Sequence, residues 1–248
     1  GIIFYFLSKA GKQFRAIGFI WLTTFIILFI NWHSKGEYIV AIYQILFASG
    51  AVMIEKWSQN RSWIKYAVTF PVLLFGILLA PFARPLLVAD KFLEYQDAIG
   101  LQPPSNEGHE TVLPQFYSDM FGWEDLAKNV SKVYLSLPEE ERKKMVVYCS
   151  NYGKAGAIEY YGKKYPLPKV ICPHNNYWYW WPDEKKYKIV IIIGGELEEH
   201  LEALEEVYKA GFHQTNYAMP YENNLTIFIG NGLKISLEVI RQSDKIFI

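Results

Sequence analysis

Three runs of uncharged, largely apolar residues, 16–32, 38–54 and 67–83, follow one another in the first third of the chain. A hydrocarbon core about 30 Å thick needs roughly 17 to 25 apolar residues at about 1.5 Å each, so each run predicts a helix just long enough to cross it. Beyond residue 114 the pattern changes. Trp123, Leu126, Val130, Val133 or Tyr134, and Leu137 recur at helical spacing, and residues 139–144 predict a short second helix. Residues 145–149 form a compact apolar strand, after which Asn151, Tyr152 and Gly153 turn the chain into a helix running to Tyr161 and closed by Gly162. Residues 187–193 (YKIVIII) predict the strongest strand, and their unbroken Val/Ile character implies burial on both faces, as in a central parallel strand. Gly194 and Gly195 then lead into a helix whose apolar stripe is Leu197, Leu201, Leu204 and Tyr208, with Gly211 as its stop. Residues 212–219 and 225–229 predict two further strands paired across 221–224, and 235–241 a last helix.

This order predicts transmembrane α-helices followed by a small soluble α/β sandwich domain of about 135 residues, enough for a core of its own. The expected boundaries are 1–8 as the tail of a preceding membrane helix, 9–89 as three transmembrane helices, 90–114 as a connector and 115–248 as the α/β domain. Pro103, Pro104, Ser105, Asn106, Glu107 and Gly108 mark the least regular part of the connector. The first residue, Gly1, lies in an apolar run too short to span and without a basic region before it, unlike a signal peptide.

Charge sharpens this division. The whole chain is neutral, yet residues 1–105 carry nine Lys/Arg and five Asp/Glu, while 106–248 carry sixteen and twenty. Lys9, Lys12 and Arg15 precede the first run and Lys56, Arg61 and Lys65 follow the second, whereas Lys35 stands alone between them. The positive-inside bias therefore predicts cytoplasmic loops at 8–15 and 55–66, and an extracytoplasmic C-terminal domain. Trp21, Trp32, Tyr38, Trp57, Trp63 and Tyr66 fall mostly where interfacial aromatics belong. Pro71 fits a kink and Pro81 a helix end, while the mid-span amide of Gln44 should face another helix or a cavity. Neither half has a basic stripe interleaved with stacking aromatics, so a nucleic-acid partner is set aside. Cys149 and Cys172 lie in apolar, strand-like runs and are expected unpaired.

Candidate chemistry clusters in three places. Gly194 and Gly195 after a buried strand could aim backbone N–H groups at a phosphate, but the full dinucleotide fingerprint and the P-loop pattern are both missing. In residues 151–159 (NYGKAGAIE), Asn151 stands at the ligand edge of an α/β sheet, either exposing N–H groups to a ligand or simply capping the helix, which is the simpler reading. Residues 172–182 (CPHNNYWYWWP) place His174, Asn175, Asn176 and Trp178 among flat aromatics, a composition that suits a sugar or lipid-linked glycan and equally suits seating on a membrane surface. His109, His174, His200 and His213 lack metal-ligand spacing. Asp183 with Glu184 and Glu198 with Glu199 read as solvated pairs, and no nucleophile elbow or zincin motif occurs.

Gly11 with Lys12, Lys35 to Tyr38 with Tyr43, LFASGA (46–51), LPQFYSDMFGW (113–123), residues 151–162 and HNNYW (174–178) together resemble the C-terminal part of bacterial glycosyltransferases of the protein O-mannosyltransferase and aminoarabinose transferase superfamily (GT-C type). The resemblance implies a multi-pass enzyme of the bacterial inner membrane. Such enzymes transfer a sugar from a polyprenyl-phosphate carrier to an acceptor on the outer face, so lipid, a lipid-linked donor and an unidentified acceptor are the implied partners. Their catalytic carboxylate lies in an early external loop, upstream of the residues here. Lys35, Tyr38 and Tyr43 match positions near the external mouth of the spans, where a cation and phenols could hold a lipid phosphate. No cofactor is evident, and a divalent metal held by upstream residues stays open. The alternative is a membrane-tethered extracytoplasmic binding or sensor domain without catalysis.

Overall fold

A computed structural model of the protein describes residues 1–31, 36–102, 111–182 and 186–247. The chain divides into two compact units, Gly1–Arg84 and Pro85–Ile248. Trp32, Lys35, Pro103 to Gly108, His109, Asp183 and Glu184, on which sequence expectations fell, lie outside the described residues.

The first unit is helical: α1 (Ile2–Leu7), α2 (Arg15–Ile30), α3 (Val40–Ser58) and α4 (Trp63–Ala83). Helix α1 lies against α3, where the Tyr5 hydroxyl donates to the Ile45 carbonyl at 3.1 Å. Gly1 sits so close to Leu46 that a Cβ there would fall 2.4 Å from its carbonyl oxygen. Among the described residues two helical stretches, Lys12–Ile30 and Trp63–Ala83, are long and apolar enough to cross a membrane. The second expected span differs because its helix begins at Val40 and runs on through Glu55 and Lys56, exchanging Tyr38 and Ile39 for charge. Gln44 is exposed within this unit rather than partnered, since α3 turns its Ile45 and Leu46 side toward α1. Helix α4 runs through both prolines and ends at Ala83, so Pro81 lies in its last turn, at the helix end as expected.

The second unit begins with α5 (Ala89–Ile99), within what the sequence reads as a connector. Its turn-rich continuation masks an amphipathic face: Ala89, Phe92 and Gln96 are buried, Phe92 stacks on Tyr117 at 4.6 Å, and Gly100 closes the helix at φ 68°. After α6 (Gln115–Ser118) come α7 (Trp123–Leu135) and α8 (Glu139–Arg142), then β1 (Met145–Tyr148), α9 (Tyr152–Tyr161), β2 (Lys169–Ile171) and β3 (Ile189–Ile193). Helix α10 (Leu197–Ala203) leads into β4 (Leu204–His213), β5 (Leu225–Leu233) and α11 (Leu237–Ser243). The five strands form one mixed sheet in the order β2-β1-β3-β5-β4. Strand β3 is central as expected, but it is parallel to β1 and antiparallel to β5.

One sheet face is packed by α7 and α9, through Leu126, Val130, Ala155 and Ile158 against Val147, Ile191 and Ile229. Each fully buried aliphatic side chain there contributes about 1.5–3 kcal/mol relative to exposure. The other face carries Val146, Ile171, Val190, Ile192 and Phe228 beneath Leu204 and Leu237.

The long helix expected through Tyr208 stops at Ala203, and Leu204 to His213 is strand instead. The Leu/Glu content favours helix locally, but pairing with β5 over this whole stretch wins, as strand preference is set largely by cross-strand neighbours. Gly230 makes the pairing fit: a Cβ there would lie 2.5 Å from Leu204 Cδ1. An irregularity between Lys209 and Gly211 absorbs the residue that would otherwise break register.

Candidate functional site

The carboxyl ends of β1 and β3 are where an open α/β sheet presents ligands, and a cavity of about 720 Å³ opens beside them on the sheet face not covered by α7 and α9. Ile171, Val190, Ile192, Leu204, Leu237 and Ile240 give it apolar walls. Ser150 and Lys154 supply polar groups, as do Tyr148 and Asp244, which share a 2.8 Å hydrogen bond from the phenol to the carboxylate. Its size and its mixture of apolar wall with a few polar groups match those of small-molecule pockets.

A buried polar cluster adjoins it. Asn151 accepts from the Lys154 backbone N–H at 2.9 Å, capping α9, while its Nδ2 donates to Glu222 Oε1 at 2.6 Å. Lys154 Nζ donates to Ser150 Oγ at 3.2 Å and lies 3.5 Å from Glu222 Oε2. Both charged side chains are nearly enclosed, at 6% and 9% exposure. Burial pushes the Glu222 carboxyl above the usual carboxylate range, against the pull of Lys154 and Asn151. A buried charge pair with a perturbed carboxyl beside a cavity makes this cluster a candidate site; structural ion pairs show the same perturbation. The cluster holds a charge pair next to the cavity; it does not line up a nucleophile, a base and an orienting group.

Of the residues singled out by sequence, Asn151 is part of this cluster. His174 is buried, with both ring nitrogens lacking a hydrogen-bond partner and its ring 4.7 Å from Tyr152; burial lowers its pKa, favouring the neutral form. Asn175 opens a 3₁₀ turn, Asn175–Trp180, at φ 52°, its N–H bonded to the Ile246 carbonyl at 2.7 Å. Asn176 is exposed. Trp178 turns toward α11, donating from Nε1 to the Arg241 carbonyl at 2.9 Å. In the other unit Tyr38 is exposed on the turn Gly36–Ile39, and Tyr43 sits 6.5 Å from Trp21, ring to ring.

Gly194 and Gly195 take φ values of 81° and 78°, and the His200 ring packs so tightly there that a Cβ on Gly195 would lie 2.6 Å from it. The following helix begins with a capping box from Glu196 and Glu199, which places negative charge where a phosphate would bind. Cys149 and Cys172 are free and buried, the thiol of Cys149 pushed well up by burial and that of Cys172 to about 11. Among the described residues no group of three or more His, Cys, Asp or Glu could hold a metal ion.

Lys154 and Glu222 were missed by sequence reasoning. Lys154 sits inside a segment whose glycines and Asn151 drew attention first, and Glu222 lies in a turn-rich stretch that reads as a strand connection. Only the fold joins them, through the Lys154–Glu222 pair and the bond from Asn151 to Glu222 across 71 residues.

Fold and site together define a protein with an apolar helical unit and a mixed α/β domain that carries a ligand-sized cavity at its sheet edge. No protein-family model matches this chain, and comparison with curated proteins and with solved structures likewise finds no match.

Proposed function

We propose that this chain is the C-terminal portion of an integral-membrane glycosyltransferase that moves a sugar from a polyprenyl-phosphate carrier to an acceptor outside the cytoplasm. The observation that supports this reading is convergence: segments that separately resemble the family pack on one another around α9. The Tyr177 hydroxyl donates to Glu159 at 3.0 Å, Tyr152 meets His174, and the Trp123 ring lies so close to Gly153 that a Cβ there would be 3.1 Å away. Trp123, α9 and residues 174–178 thus meet at one place in the fold.

In this reading α2, α3 and α4 all cross the bilayer. Three crossings keep both basic loops on the cytoplasmic side; with α3 left out, Lys56, Arg61 and Lys65 would face outward, against the positive-inside bias. Sugar transfer forms a bond from the acceptor to the anomeric carbon as the bond to the carrier phosphate breaks, an upstream carboxylate taking the acceptor proton. Lys35, Tyr38 and Tyr43 would steady the leaving phosphate. The cavity favours a second reading, a membrane-tethered binding domain without catalysis.

Membranes from cells expressing the intact gene product, given polyprenyl-phosphate-linked sugars labelled in the sugar, separate the two. The enzyme reading predicts loss of label from the lipid fraction above that of control membranes. Unchanged lipid-linked label across mannose, glucose and aminoarabinose donors, with saturable retention of a donor by the purified protein, would favour the binding domain.

A further inference from the structure

A cluster of aromatics and cations lies around Trp178, apart from the cavity. Tyr179 and Trp180 are 61% and 64% exposed and Phe247 is 49% exposed. Trp178, Tyr179 and Phe247 touch edge to face, with ring centroids 5.0 to 6.3 Å apart. Arg241 and Lys245 both sit over the Trp178 ring, at 4.3 and 4.2 Å from its centroid. Lys245, itself exposed, also lies 5.0 Å over Phe247.

We propose that this patch seats the α/β domain on an anionic phospholipid surface, an inference that rests on the membrane reading above. Trp and Tyr partition to the headgroup region because one end of each is apolar and the other polar. Lys and Arg beside them can lay their stems on apolar surface and reach phosphates with their charged ends. A sugar platform fits less well. The Trp178 ring is already covered by two cations, and Trp178, Tyr179 and Phe247 present their rings at steep angles to one another rather than as one continuous shelf. Arg241 is partly neutralised by Glu238 at 3.4 Å, so Lys245 carries most of the attraction. A Lys or Arg near an anionic surface changes binding by about fivefold.

The test uses the full chain in nanodiscs of phosphatidylcholine, alone or mixed with phosphatidylglycerol, with nitroxide labels at three positions. Trp180→Cys reports on the patch, Lys209→Cys on the exposed edge strand at the other side of the sheet, and Phe75→Cys on α4. Collision with oxygen against a water-soluble nickel chelate gives the depth of each label. The proposal predicts a lipid-like ratio at 180 in the mixed discs, an aqueous ratio at 209, and a several-fold shift of 180 toward the aqueous value on Lys245→Glu or on leaving out phosphatidylglycerol. An aqueous ratio at 180 with a lipid-like ratio at 75 would overturn the patch and spare the membrane reading. Aqueous ratios at both would overturn the two together. Shielding of an aqueous 180 label by added oligosaccharide would assign the patch to sugar and also overturn the proposal.

Discussion

Replacing Glu222 by Ala should destabilise the α/β domain by about 3–5 kcal/mol, because it strands the Lys154 ammonium, only 6% exposed, without its carboxylate partner. Among the described residues only Ser150 would remain to bond it, since Asn151 meets Lys154 through the backbone N–H. Removing both charges together, as Lys154→Met with Glu222→Leu, should recover most of that loss, since a buried pair replaced by apolar groups of similar volume is often neutral. Hydrogen exchange of the β1 and β3 amides in the full chain reads both effects. A cost below about 1 kcal/mol for Glu222→Ala would mean that the pair is not buried as described. The pH dependence has a definite sign. Because the folded carboxyl titrates above its unfolded value, its contribution to stability is complete below the unfolded pKa and is lost as pH rises through the folded one. The double variant should remove that slope.

Leu73→Arg is the second large effect expected. Leu73 lies near the middle of α4 and is 59% exposed. On the surface of a water-soluble helix such a change would shift stability by no more than about 0.5 kcal/mol. In a bilayer an Arg at the helix centre costs about 2.5–3.5 kcal/mol of insertion free energy. The insertion equilibrium of α4, scored as the ratio of inserted to uninserted product by glycosylation of engineered acceptor sites flanking the helix, should therefore fall by at least tenfold. Failure of the unsubstituted α4 to insert in the same assay would remove it from the set of spans. No residue of α4 is buried and its apolar side chains point outward around the helix, an arrangement costly in water and ordinary in lipid.

Much of this architecture could be read from the chain because local signals agreed with the fold. Leu126 and Val130 on α7, the Val/Ile run of β3 and the Asn151 cap each carry their periodicity or capping chemistry within a few residues. Strand β4 failed that test. Its leucines and glutamates satisfy helical spacing, and only Gly230, on a neighbouring strand, reveals that Leu204 belongs in a sheet. Helix α5 hid for a similar reason, since the partner that buries Phe92 is Tyr117, beyond a turn-rich stretch. At the candidate site Asn151 was visible as a cap. The Glu222 and Lys154 partnership was not, because nothing near either residue announces a charge pair formed by distant segments. The aromatic run at 177–181 was conspicuous, yet its perpendicular rings and the two cations over Trp178 are facts of packing that composition does not contain.

A reporter thiol tests the central claim, that the helical unit threads a bilayer and leaves the α/β domain outside. Cys149 and Cys172 should stay silent, being buried with thiols held protonated. Lys209→Cys on exposed β4 and Arg61→Cys in the basic loop then supply one thiol on each expected side. With a membrane-impermeant maleimide on intact cells, the account predicts labelling at 209 at once and at 61 only after permeabilisation. Protection of 209 until the membrane is opened would contradict it.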